Sequence, residues 1–231
     1  MIHSPRRERG SDDARPLSRP RAVIFDWDNT LIDSWSAIQD AQNHTLVAFD
    51  MRPWTMEETR QRVRGSMRET YPTLFGDKWE EAGKVFHSRF MERHLENMVP
   101  LPDAEDMLAT LSEVGLYLAV VSNKKGDLLR TEVAHLNWSR YFSRVVGAQD
   151  AVRDKPSPEP VMLALDGSNI ASRDDVWFVG DTDVDLECAV RAGCVPVLLR
   201  ETAPEAKEFV DYPPVVHVSG CLTLSKVLQT L

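Results

Sequence analysis

At 231 residues with 42% hydrophobic content, the chain is long enough for one large domain or a core plus an insert, and apolar enough for a sizeable core. A formal net charge of −9 argues against nucleic acid or an anionic membrane as the main partner, while allowing a small anionic substrate held through a local metal. There is no membrane-spanning apolar run and no secretory signal, and Cys188, Cys194 and Cys221 lack metal-ligand spacing; a cytoplasmic protein with reduced thiols is the expectation.

Residues 1–20 are rich in Arg, Pro, Ser and Asp with almost no apolar periodicity, which predicts a disordered tail. Next, Ala22-Val23-Ile24-Phe25 reads as a fully buried strand running into Asp26-Trp27-Asp28-Asn29-Thr30-Leu31. A buried strand has little use for carboxylates at its end unless something positive or reactive sits there. Side chains two residues apart in an extended segment point the same way, so Asp26 and Asp28 should face one small space, with Trp27 turned away into packing. Two carboxylates facing one space repel, which suggests a shared cation, a shared proton or both.

From about 34 to 98 the pattern is helical. Trp35, Ile38, Gln42, Leu46 and Phe49 recur at mostly helical spacing, Thr55 with Glu58 fits a capping box, and Trp79, Ala82, Phe86 and Phe90 outline a longer helix. Val99 to Asp103 is a proline-stiffened return, followed by a helix ending near Gly115. Thereafter strands are predicted at Leu116–Val121, Arg144–Gly147, Val176–Gly180, Val195–Leu199 and Pro214–Val218, with helices between most of them. Such alternation implies an α/β fold with a doubly wound parallel sheet. The domain plan is a core of 21–33 and 99–231, with 34–98 inserted as a helical cap through linkers near Leu31–Asp33 and Asn97–Pro102.

In such sheets ligands bind beyond the carboxyl ends of the strands. Three ends carry polar groups: Asp26/Asp28, Ser122/Asn123, and Asp181 with Asp183 and Asp185. The prolines of Arg153-Asp154-Lys155-Pro156-Ser157-Pro158-Glu159-Pro160 would hold Lys155 in one place. Acids, hydroxyl and amide donors and one lysine at one mouth suit phosphoryl transfer. That reaction needs a nucleophile, a divalent cation, donors for the equatorial oxygens and a proton source. A carboxylate can serve as the nucleophile, and Mg²⁺, an oxygen-seeking ion, fits best.

On these residues the chain resembles the haloacid dehalogenase superfamily, in its phosphoglycolate-phosphatase-like branch with a helical cap. The resemblance spans roughly 21–231 and includes all four family motifs in order: Asp26-Trp27-Asp28-Asn29-Thr30, Val121-Ser122-Asn123-Lys124, Lys155-Pro156-Ser157-Pro158 and Gly180-Asp181-Thr182-Asp183-Val184-Asp185. It implies a Rossmann-like core and a role for each residue. Asp26 is nucleophile and Mg²⁺ ligand. Asp28 is general acid then base, and also a metal ligand through its carbonyl. Ser122 with the Asn123 backbone binds phosphate, and Lys155 pairs with Asp26 and the phosphoryl charge. Asp181 ligates the metal and Asp185 orients the metal shell. Thr30 steadies the loop. Asp183 falls at a variable position, where an N-cap role would explain it. Lys124 and Lys125 are rival lysines for substrate.

The acid at Asp28 favours ester hydrolysis over dehalogenation, because an alkoxide leaving group needs a proton and a halide does not. Asn29 stands where the commonest family form has glycine. The resemblance implies a small phosphorylated metabolite as partner, phosphoglycolate-like, a nucleotide or a sugar phosphate, and a monomer or homodimer. On the cap, Arg62, Arg64 and Arg68 around Gly65-Ser66-Met67 are candidate anion contacts, with Arg68 the specificity candidate. A phosphomutase is the alternative reading, and a non-catalytic interaction protein a less favoured one.

Overall fold

A computed structural model describes residues 17–63, 65–92, 95, 98–170 and 173–231. Of the expected tail, 1–16 lie outside the described residues, and 17–20 have no regular structure. The first strand, β1 (Ala22–Phe25), is buried along its whole length. A two-residue strand, β2 (Ile32–Asp33), follows, then four helices: α1 (Trp35–Ala48), α2 (Met56–Arg62), α3 (Met67–Phe75) and α4 (Trp79–Met91). The chain returns through β3 (Val99–Pro100), which pairs antiparallel with β2. From there helices and strands alternate through α5 (Ala104–Glu113), β4 (Tyr117–Lys125), α6 (Gly126–His135), β5 (Arg144–Ala148), α7 (Glu159–Ala164), β6 (Val176–Gly180), α8 (Asp183–Ala192), β7 (Val195–Leu199), β8 (Val216–Val218) and α9 (Cys221–Thr230).

The main sheet has six strands in the order β5-β4-β1-β6-β7-β8, paired in parallel throughout. The chain winds outward from β1 to one edge, then crosses back to β6 on the other side of β1. The carboxyl end of β1 therefore lies where the winding direction reverses, the place where such sheets form a crevice. Alternation along β1 explains its continuous apolar run. Val23 and Phe25 join the cluster with Leu108, Leu129, Trp138 and Leu224, while Ala22 and Ile24 join Val121, Val161 and Phe178 on the other face. Among the described residues, no helix is long and apolar enough to cross a membrane.

Three features depart from the sequence expectation. The expected linkers pair with each other as the β2–β3 ribbon, tied further by Leu101 N–H donating to the Leu31 carbonyl at 2.8 Å. Helix α3 was not expected, because Pro72 sits inside it and its apolar spacing is poor. Ser66 is its N-cap, where the Glu69 carboxylate accepts from the Ser66 N–H at 3.4 Å. Finally, β4 does not stop at Val121 but runs on to Lys125, with its register against β5 shifting between those residues. Val121 pairs with Val146 and Lys125 with Ala148, so two extra residues are absorbed on β4. Bulges of this kind re-aim side chains, here Ser122, Asn123 and Lys124.

Two local expectations hold. The Thr55–Glu58 capping box opens α2, with Thr55 N–H to Glu58 at 3.0 Å and Glu58 N–H to Thr55 Oγ1 at 3.2 Å. Gly115 follows α5 at a φ of 78°, a left-handed conformation that glycine takes without penalty.

Candidate active site

Beyond the carboxyl ends of β1, β4 and β6 lies a cavity of about 550 Å³, roofed by α1–α4. Asp26, Asp28, Ser122, Asn123, Lys155, Asp181 and Asp185 all line it on the core side, so the structure brings the sequence-picked residues together. Each arrives by a different local device. Asp26 extends β1 by one residue, its N–H donating to the Val179 carbonyl of β6 at 2.8 Å. The chain then curls, with the N–H groups of Leu31 and Ile32 both bonding the Trp27 carbonyl, at 3.0 and 3.1 Å. Asn29 takes a φ of +62° inside this turn, which explains why glycine or asparagine serves there. Its side-chain oxygen accepts from the Ser34 N–H at 3.2 Å, tying the turn to the start of α1.

The two aspartates enter one cavity but pair with different lysines. Lys155 Nζ donates to Asp26 Oδ1 and to Asp185 Oδ1, each at 2.7 Å. Lys124 Nζ donates to Asp28 Oδ1 at 2.7 Å and to Glu132 at 2.6 Å. Trp27 turns away as expected, fully buried and edge-on to Trp138 at 5.7 Å, and its indole N–H reaches the same Glu132 oxygen at 2.6 Å. The Lys155 loop is braced from β4: Lys155 N–H donates to Asn123 Oδ1 at 3.0 Å, and Asn123 Nδ2 to the Lys155 carbonyl at 3.1 Å.

Asp185 lies on the first turn of α8. Its Oδ2 accepts from the Thr182 N–H at 3.0 Å and the Thr182 hydroxyl at 2.7 Å. Thr182 is thus the N-cap, and Asp183 is the first helical residue rather than the cap expected for it. Gly180 is required for this approach, because a Cβ there would lie 2.3 Å from the Asp185 Cβ.

Carboxylate oxygens of Asp26, Asp181 and Asp185 all fall within 4.8 Å of one another. Burial, with Asp185 and Asp28 nearby, pushes the Asp26 carboxyl up to about 6, although Lys155 opposes the rise. Burial, then Asp185 and Asp26, push Asp181 well above the usual carboxylate range. These acids carry more negative charge than Lys155 can offset. An octahedral Mg²⁺ with oxygens at about 2.0–2.1 Å spans comparable separations, so the donor set fits that ion.

At the other pair, burial works against the Lys124 charge, yet Asp28 and Glu132 hold its pKa above the ordinary lysine value. Burial, then the nearby Asp28, push Glu132 up, against the pull of Lys124. Neither Glu132 nor its bond to Trp27 was foreseen, since a glutamate in mid-helix gives no sequence signal of burial.

The insert side of the cavity carries Trp35, Trp54, Tyr71, Phe86 and Phe90. Arg68 reaches it, but its guanidinium grips Asp154 of the Lys155 loop, with Nη2 to Oδ1 at 2.5 Å. Arg62 lies over the Trp54 ring at 4.9 Å and 3.6 Å from Glu58, and Arg64 lies outside the described residues. Lys125, the other rival lysine, also lines the cavity but pairs with Asp127 at 2.9 Å.

Residues 23–198 match the haloacid dehalogenase-like hydrolase family. The chain belongs to that family. A phosphoglycolate phosphatase from Aquifex aeolicus is 34% identical over 174 residues, 75% of this chain and 81% of that protein. A protein from Clostridium perfringens, named as a candidate pyrophosphatase, is 24% identical over 212 residues, 91% of this chain and 98% of that protein. Among solved structures, a haloacid dehalogenase-superfamily hydrolase from Ehrlichia chaffeensis is similar at 31% identity and a TM-score of 0.63, covering 93% of this chain and 98% of that one. The parallel sheet and flanking helices described above are the core of this hydrolase family.

Proposed function

We propose that this hydrolase is a Mg²⁺-dependent phosphatase acting on a small phosphomonoester through a phosphoaspartyl intermediate on Asp26. The observation that carries the reading is the division of the two aspartates: Asp26 beside Lys155 and the acid cluster, Asp28 apart from them on Lys124. Asp26 attacks phosphorus, and the Lys155 ammonium keeps that carboxylate ionised and aimed. The Ser122 hydroxyl and the Asn123 backbone N–H donate to the phosphoryl oxygens. Asp28 gives a proton to the departing alkoxide, then takes one from the water that cleaves the acyl phosphate. Asp26, Asp181 and the Asp28 carbonyl would hold Mg²⁺, with Asp185 behind them, and the ion would offset phosphoryl charge.

In this reading residues 34–98 are a cap on a core of 21–33 and 99–231, and the β2–β3 ribbon is its hinge. Closure would exclude water and complete the site. The Aquifex aeolicus relative supports a phosphoglycolate-like substrate. The cavity of about 550 Å³ and its aromatic wall also leave room for a leaving group larger than glycolate. A substrate carboxylate would have to compete with Asp154 for Arg68.

Phosphate release from 2-phosphoglycolate, nucleoside monophosphates, sugar phosphates and pyrophosphate, with Mg²⁺ and then with EDTA, tests this. We expect hydrolysis of at least one ester, loss with EDTA, and no activity in Asp26→Asn. Unchanged activity in Asp26→Asn overturns the mechanism. Turnover of a sugar phosphate without phosphate release would make the chain a mutase.

A further inference from the structure

The catalytic reading leaves the buried Glu132 unused. Glu132 sits on α6 with only 1% of its surface exposed, and the Lys124 side chain keeps only 7%. Burying two such charges costs several kcal/mol unless both are paired and hydrogen-bonded, as these are. Both contacts of Glu132 bear on the first motif. Its carboxylate accepts from the Trp27 indole at 2.6 Å, and from Lys124 at 2.6 Å, whose ammonium also reaches Asp28 at 2.7 Å. Trp27 and, through Lys124, Asp28 are thus tied to one anchor on a different element.

We propose that Lys124, fixed by Glu132, is a positioning residue for the proton transfer performed by Asp28. This rests on the phosphatase reading above. Lys124 takes one oxygen of Asp28, Oδ1, and among the described residues no protein group bonds the other. That second oxygen belongs to a side chain lining the cavity, where it can meet the leaving-group oxygen. The bulge in β4 is what makes this possible. It turns Lys124 toward the mouth while Lys125, one residue on, pairs with Asp127. The arrangement also reaches the insert, since the Lys124 ammonium lies 4.9 Å from the centre of the Phe90 ring on α4. The position of α4 and the placement of Asp28 therefore share one side chain.

The test exploits leaving-group chemistry. An alkyl ester such as glycerol 2-phosphate needs a proton on its departing oxygen, whereas 4-nitrophenyl phosphate expels a stable phenolate. If Lys124 only supports the fold, its loss lowers both reactions alike. If it positions Asp28, Lys124→Met should lower kcat/KM, which reports the steps up to release of the alcohol and not the water attack both esters share, by about 10- to 100-fold more on the alkyl ester than on the aryl ester. Lys124→Arg should recover most of the alkyl activity. Asp28→Asn should show the same selectivity, and Lys124→Met should then add little to it. An equal loss of kcat/KM on both esters, no loss, or full additivity with Asp28→Asn overturns the proposal. Should Lys124→Met not fold, Glu132→Gln keeps the shape and is read by the same ratio, with an unchanged ratio as the contrary result. Asp26→Asn separates the two readings: activity surviving there sinks the mechanism, whereas an inactive Asp26→Asn with an unselective Lys124→Met sinks this proposal alone.

Discussion

One cavity has two unlike walls. On the core wall, Asp26, Asp185, Lys155 and Lys124 are largely buried and held in short charged hydrogen bonds, Lys155 to the two aspartates and Lys124 to the buried Glu132 behind it. On the insert wall, aromatic rings from α1, α3 and α4 face the same space, and the buried Gln42 Nε2 and His87 Nδ1 have no hydrogen-bond partner among the described residues. Groups already bonded to one another are preorganised, and they can stabilise a developing charge without rearranging. Unpaired groups among rings suit a ligand that supplies the missing partner. The chemistry would therefore reside in the sheet, and the choice of alcohol in the helices.

The contrast breaks most completely at Lys155. Replacing it by methionine leaves Asp26 and Asp185 buried together without their shared cation. We expect activity to fall by about a thousandfold or more, and stability by about 3–5 kcal/mol. Phosphate release and a denaturant melt would read the two losses, and retained activity would show that Lys155 is structural only. Next comes Gly180→Ala. The new methyl would meet the Asp185 Cβ at 2.3 Å and Cγ at 2.4 Å, so Asp185 must leave Lys155 or β6 must shift. The expected cost is about 1–3 kcal/mol, together with loss of turnover. A protein as active and stable as the parent would mean that Asp185 has slack the structure does not show.

The two walls also differed in how far they could be read from sequence. The core wall was legible because an apolar strand ending in acids has few innocent explanations, and the four motifs recur in order. Even so, the placement of Glu132 was invisible, as helical spacing does not say which polar residue is turned inward. The extension of β4 was missed because Ser122 and Asn123 look like a turn, and only the pairing of Lys125 with Ala148 reveals a bulge instead. In the insert, α1, α2 and α4 followed from periodicity and a capping box. Helix α3 did not, since Pro72 argues against a helix locally and its packing on α4 through residues such as Tyr71 and Phe86 overrides that preference.

Arg68 links the walls and should give an intermediate effect. In Arg68→Ala the buried Asp154 keeps the Gln149 N–H at 2.9 Å but loses its cation. We expect KM to rise by about 10-fold with kcat less affected, the size of one charge-assisted hydrogen bond. Comparing 2-phosphoglycolate with glycerol 2-phosphate separates two causes. A KM rise confined to the carboxylated ester would mean that Arg68 changes partner from Asp154 to substrate. An equal rise would mean that it only draws the insert onto the core. Lysine should not substitute well, because the guanidinium uses two nitrogens on one carboxylate.

The smallest effect should come from the insert wall itself. Gln42 is buried on α1, its Oε1 accepting from the Tyr71 hydroxyl at 2.9 Å while Nε2 has no partner among the described residues. In Gln42→Leu two contributions oppose each other. The unsatisfied amide disappears, which stabilises; the Tyr71 hydroxyl loses its acceptor, which destabilises. Each is about 1 kcal/mol, so the melting midpoint should barely move. Binding has no such cancellation. If Nε2 meets an acceptor on the leaving group, KM for the preferred ester should rise by about 3- to 10-fold, one neutral hydrogen bond, while kcat on 4-nitrophenyl phosphate stays near the parent value. An unchanged KM on every ester would place the specificity contacts elsewhere on α3 and α4. A large fall in stability would show instead that the Gln42–Tyr71 bond holds the wall together, making the insert more like the core wall than its open amide suggests.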